Sequence, residues 1–178
     1  MSETAADVQK LVDRSNELTA ELAEIEALPP ANNEPRVLAS QTLCRLAVEH
    51  ADSVRVLVAV GNFTSAFAIL RMQYEALTKA FWALYAASDN MIGRLQSELT
   101  PETQNRADKI PLIGALLTEL GGKAPPQVVS QLNEFKVYSW KPLSSYIHGG
   151  IHAIARNSRG YPAGLLDQSL RASNGLYM

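Results

Sequence analysis

Apolar residues in this 178-residue chain recur at three- and four-residue steps almost from end to end, and no alternating stretch longer than a few residues interrupts them. A half-buried strand needs period 2, whereas these stripes carry the 3.6-residue period of a helix. Such stripes can be buried only against one another, so the expected fold is an all-α, single-domain helical bundle. Val8, Leu11, Val12, Leu18, Leu22 and Ile25 mark an N-terminal helix over about 3–28. Pro29, Pro30, Asn32, Asn33 and Pro35 end it. A second helix is predicted from about Arg36 to Val60, with Gly61 as its stop, and a third runs to about Ala87, capped by Asn62 or Thr64.

Shorter helices are expected at 91–99, from the start Thr100-Pro101-Glu102, over Lys109–Leu120, and from Pro125-Pro126 to about Val137. Trp140 to Arg156 reads as one further helix, closed by Asn157 to Pro162. The last begins near Pro162 and is still apolar-periodic at Leu176 and Met178. One domain, 1–178, is therefore expected, with its core over about 36–88 and 139–178. Helix 3 carries two stripes: Phe67, Leu70, Tyr74, Leu77, Phe81 and Leu84 on one side, and Arg71, Glu75, Thr78, Trp82 and Tyr85 on the other. Burial on both sides in so small a domain predicts a homodimer.

Composition narrows the function. A chain with 47% hydrophobic and 19% charged residues folds. Its net charge of -2 argues against a broad basic surface for nucleic acid, though not against a local patch. Cys44, the single cysteine, has no disulfide partner within the chain, which fits a reducing cytoplasm, and its apolar neighbours predict a packed core thiol. The polar, acidic N-terminus lacks the pattern of a secretory signal. Arg71, Gln73, Glu75 and Lys79 interrupt the longest apolar stretch, Phe63 to Ala87, so no membrane span is expected. A soluble cytoplasmic protein is the reading.

Candidate chemistry gathers in two places. Arg71 and Glu75 are four residues apart, on one helical face. They form either an ion pair that ties helices together or a site where Arg71 binds phosphate or carboxylate and Glu75 positions it. The second place is W-K-P-L-S-S-Y-I-H-G-G-I-H-A-I-A-R, residues 140–156. His148 and His152, one turn apart on the expected helix, have zinc-like spacing. The ligand set is incomplete, however, because the third histidine, His50, lies on another helix, so neither metal nor cofactor is expected. Gly149 and Gly150 inside a helix cost about 1 kcal/mol each, which close packing of another helix would offset. Ser144 shares a face with His148 but lacks a nucleophile elbow, so it is expected to bond a backbone carbonyl or the imidazole. Arg45 and His50 match Arg-x4-His, yet five residues place them about 140° apart around a helix.

The stretches R-M-Q-Y-E-A-L-T-K-A-F-W-A-L-Y-A-A-S (71–88) and S-S-Y-I-H-G-G-I-H-A-I-A-R (144–156), with Gly160-Tyr161-Pro162 and S-N-G-L (173–176), resemble an uncharacterised bacterial all-helical family. Through it the chain is distantly similar to the HEPN superfamily, whose bundles include ribonucleases of abortive-infection and toxin-antitoxin systems. That resemblance implies an Arg-x(4–6)-His motif meeting its symmetry mate across a dimer. His148 matches its histidine, and Lys141 stands where arginine is expected. It also implies a final helix longer than this one.

Two functions follow. In the first, a metal-independent endoribonuclease of bacterial defence or stress uses His148 as general base for 2′-hydroxyl attack, with Arg71 or Lys141 stabilising the phosphorane. In the second, a non-catalytic helical dimer module binds a nucleotide or a protein partner. The residues at issue are His148, Arg71, Glu75 and Lys141 for catalysis, and Ser144, His152, Trp140 and Arg156 for binding. Catalysis requires a solvent-reachable His148 in a cleft with Arg71 or a partner's cation, whereas the binding module predicts it buried and hydrogen-bonded.

Overall fold

The computed structural model describes residues 3–98, 100–103 and 110–177. Among these residues there is no strand, and nine α-helices carry the fold. The long ones are α1 (Glu3–Glu26), α2 (Pro35–Ala59) and α3 (Phe63–Tyr85). Then come α4 (Asp89–Leu95), α5 (Ile113–Leu120) and α6 (Pro126–Phe135). A π-helical turn, Lys136–Trp140, joins α6 to α7 (Lys141–Ile147), and α8 (Ile151–Arg159) and α9 (Ala163–Tyr177) complete the chain. Pro101–Thr103 opens a helical turn in which Thr100 and Thr103 cap each other. The expected helix ends at Leu99, Lys109 and Met178 lie outside the described residues.

α3 is the central element, as its apolar content dictates. Phe67, Leu70, Tyr74, Ala80, Trp82 and Ala83 are all buried along it. It packs closely against α2 because the contact is made of small residues, with Ala39, Ser40, Ala47 and Ala51 facing the Ala76–Ala80–Ala83 row. Ser40 Oγ donates to Ala80 O at 3.0 Å across this seam. One core cluster joins Leu11, Val12, Val54, Phe67, Leu70, Leu143, Tyr146 and Leu170, and a second joins Tyr74, Trp82, Ile92, Leu116, Leu120 and Leu132. Each large apolar side chain so buried contributes about 1.5–3 kcal/mol. The stripe holding Thr78 and Trp82 is covered within the chain, where Trp82 Nε1 donates to Glu119 Oε2 at 2.7 Å.

Hydrogen bonds brace the core where polar groups enter it. Gln73 Nε2 donates to Ser173 O at 2.9 Å, and Ser173 Oγ donates back to Gln73 Oε1 at 2.7 Å, which ties α3 to α9. Tyr74 Oη donates to Leu132 O at 2.8 Å. Arg36 closes the C-terminal end of α3 by donating to Leu84 O and Ala87 O while pairing with Asp89. The described residues leave no buried side-chain nitrogen or oxygen unpaired.

Three expectations change. Trp140 to Arg156 is not one helix: His148 ends α7, Gly149 takes φ +61°, and α8 starts at Ile151. Cys44 is exposed rather than packed in the core, with the inner face of α2 carried by Ala39, Ser40, Ala47 and Ala51. Within the stretch expected to be helical up to Leu120, residues 110–112 are not helical and α5 starts at Ile113, because Pro111 disfavours helical geometry at Ile110.

Candidate functional site

Arg71, Glu75 and Lys79 sit at i, i+4 and i+8 on α3 and form a charged row on one face. Arg71 Nε donates to Glu75 Oε1 at 2.9 Å, and Lys79 Nζ stands 4.0 Å from Glu75 Oε2. The Arg71 guanidinium also lies 3.9 Å from the centroid of the Trp140 ring, a cation–π contact. With only 14% of its side chain exposed, Arg71 is held on two sides. Trp140 in turn meets Tyr74 edge-on, with ring centroids 5.9 Å apart.

The position of Trp140 follows from Pro142. The chain is helical from α6 into α7, but Pro142 has no N–H for the carbonyl of Tyr138, and its ring crowds that carbonyl. Opening one turn into π geometry relieves the conflict, and such bulges recur at functional sites. Lys136 and Trp140, the two ends of that turn, both face the charged row of α3.

Between α3, the π-helical turn and residues Ile110–Ala115 lies a cleft of about 570 Å³. Arg71, Glu75, Lys79 and Lys136 are its charged lining, and Ile110, Pro111, Leu112, Ile113 and Trp140 form apolar walls. A Cβ on Gly114 would come within 3.2 Å of Lys136 Nζ, so this glycine leaves room for the ammonium against the start of α5. Among the described residues, three cations face one carboxylate, a balance suited to holding an anion.

Residues 140–156 are arranged differently. Ser145 organises the turn between α7 and α8: its carbonyl accepts from Gly150 N at 2.7 Å, and its Oγ accepts from His152 N at 2.9 Å. Gly150 offers no side-chain cap of its own, so a serine on the preceding helix serves the first turn of α8. His148, at the end of α7, and His152, in the first turn of α8, are both exposed and do not lie one turn apart on a single helix, which contradicts the binding module's expectation of a buried, hydrogen-bonded His148. Ser144 Oγ donates to Trp140 O at 2.7 Å. Lys141 is exposed. Arg156 lies beside Tyr146, whose hydroxyl burial pushes above its ordinary pKa while Arg156 pulls it back. Among the described residues, no three His, Cys, Asp or Glu side chains gather as metal ligands. On α2, Arg45 is exposed and His50 half-buried, the latter with its pKa lowered by desolvation.

Of the residues singled out in the sequence, the fold thus joins Arg71, Glu75 and Trp140 in one cleft. His148, His152, Lys141, Ser144 and Arg156 do not line it. Lys79, Lys136 and Ile110–Ala115 were not foreseen as site residues. The signal for the two lysines was present, since Lys79 extends the Arg71–Glu75 row by one turn and Lys136 precedes Trp140 by four residues.

A family model matches residues 44–178, and the chain belongs to that family, DUF6988, a family of unknown function. Comparison with curated proteins and with solved structures gives no match. No helix among the described residues is long and apolar enough to cross a membrane.

Proposed function

We propose that this DUF6988 member is a non-catalytic helical module that binds an anionic small molecule, with a nucleotide as the ligand class, in the Arg71–Trp140 cleft. The observation that carries the reading is one concave space in which, among the described residues, Arg71, Lys79 and Lys136 face a single carboxylate across apolar walls. Small-molecule sites are typically clefts of about 300–1,000 Å³ with mostly apolar walls and a few placed polar groups. Arg71 is already oriented by Glu75 and Trp140, so fixing it on binding costs little side-chain entropy. Among the described residues that line the cleft there is no histidine, serine or cysteine, which favours binding over proton-transfer chemistry there.

A ribonuclease in bacterial defence is the second reading, and the exposure of His148 favours it, because a general base must reach substrate. It needs a homodimer in which a second copy brings a cation to His148, since Arg71 serves a cleft that His148 does not line.

Calorimetric titration with adenosine 5′-monophosphate, beside incubation with total RNA in EDTA, separates the two. The binding reading predicts saturable heats, weakened about tenfold or more in Arg71→Ala, and intact RNA. RNA cleavage by the wild type that disappears in His148→Ala overturns it, as does the absence of any nucleotide binding.

A further inference from the structure

Resting on that binding reading, we infer that the ligand's anion is a phosphate monoester dianion, held at the Lys79–Lys136 end of the cleft. Its apolar body then lies along Ile110–Ile113. Arg71 is the most committed of the three cations, engaged by Glu75 at 2.9 Å and by the Trp140 face at 3.9 Å. Lys79 reaches the same carboxylate only at 4.0 Å, the limit of an ion pair. Among the described residues no carboxylate pairs with Lys136. The two lysines therefore carry the charge left over when Glu75 is matched with Arg71. Among the described residues that remainder is +2, counting three lining cations against one lining carboxylate.

A carboxylate or phosphodiester brings one negative charge and leaves half of the remainder unmatched. A phosphate monoester brings about -1.5 to -2 at pH 7. The surroundings of Lys136 point the same way. Its ammonium sits against Gly114, the second residue of α5, and the Gly114 amide has no backbone acceptor among the described residues, in a helix with no side-chain cap there. A lysine cation at the positive end of a helix is like on like, and an interposed oxyanion turns the repulsion into attraction on both sides. Leu112, 84% exposed at the rim, supplies apolar surface for the ligand body to cover.

The test compares adenosine 5′-monophosphate with its singly charged methyl ester and with adenosine, by calorimetry on the full chain. Expected are tightest binding for the monophosphate, about 10- to 100-fold weaker binding for the ester, and the weakest for adenosine. Monophosphate binding should also weaken as pH falls through about 6, where the phosphate regains its second proton. Lys136→Gln should remove most of the difference between monophosphate and ester, and Lys136→Arg should restore it in part. Gly114→Ala, which displaces the ammonium without changing charge, should weaken the monophosphate as well. Equal affinity for monophosphate and ester overturns the dianion while leaving an anion-binding cleft in place. No binding of any of the three overturns the binding reading itself.

Discussion

Replacing Gly150 by alanine distinguishes a turn from a helix by the sign of the stability change. In a continuous helix over Trp140–Arg156, the substitution would stabilise by about 1 kcal/mol. The structure predicts the opposite. A Cβ at position 150 would lie 2.6 Å from Ser145 Oγ and 3.3 Å from Ser145 Cα and Cβ. The hydroxyl can swing away only by abandoning the His152 amide, from which it accepts at 2.9 Å. Losing a bond of that capping type costs about 0.5–2 kcal/mol. The remaining crowding needs a backbone adjustment, which brings the total to about 1–3 kcal/mol. For a domain of this size each kcal/mol moves the melting temperature by about 2–4 °C. Differential scanning calorimetry, with urea unfolding at 25 °C as a second measure, should therefore show a drop of several degrees. The Ser145→Ala/Gly150→Ala double variant should lose less than the sum of the single variants, because clash and bond involve the same oxygen. A Gly150→Ala protein that melts higher than wild type would refute the turn.

Gly149→Ala forces an alanine to φ +61° and should cost about 1–2 kcal/mol by urea unfolding, where a helical Gly149 would again gain stability. Gln73→Leu strands the hydroxyl of Ser173 in the core and takes the second donor from its helical carbonyl, with an expected loss of about 1–3 kcal/mol. A neutral result would show that the α3–α9 bond pair contributes nothing. Burial pushes the Tyr74 hydroxyl up to about 12, so its folded pKa exceeds the unfolded value near 10. Stability from this group is full below pH 10 and falls as pH rises from 10 to 12, because unfolding then releases a proton. Wild type should lose more stability than Tyr74→Phe across that window, and parallel curves for the two would contradict the assignment.

The long helices were legible because their signals are local. Pro29, Pro30 and Pro35 break the chain after α1, and Gly61, at φ +81°, turns it between α2 and α3. The break at Gly149–Gly150 was not legible because two glycines are compatible with either outcome. What decides is Ser145, whose hydroxyl and carbonyl reach forward to cap the next helix. Pro142 by residue type alone suits a helix start, whereas the helical path continues through it by opening a π-helical turn. The cleft was half legible. Arg71 and Glu75 share a face by spacing alone, but Trp140 and Lys136 reach them only once the π-helical turn has oriented both side chains. Ile110–Ala115 enter through tertiary packing that no periodicity encodes.

The most direct test of the cleft is a two-dimensional amide NMR titration with adenosine 5′-monophosphate, following the Gly114 amide and the Trp140 indole. These two signals should shift together and saturate, while the His148 and His152 amides stay in place. Shifts confined to His148 and His152, with Gly114 unmoved, would contradict the cleft and place the ligand at the α7–α8 turn.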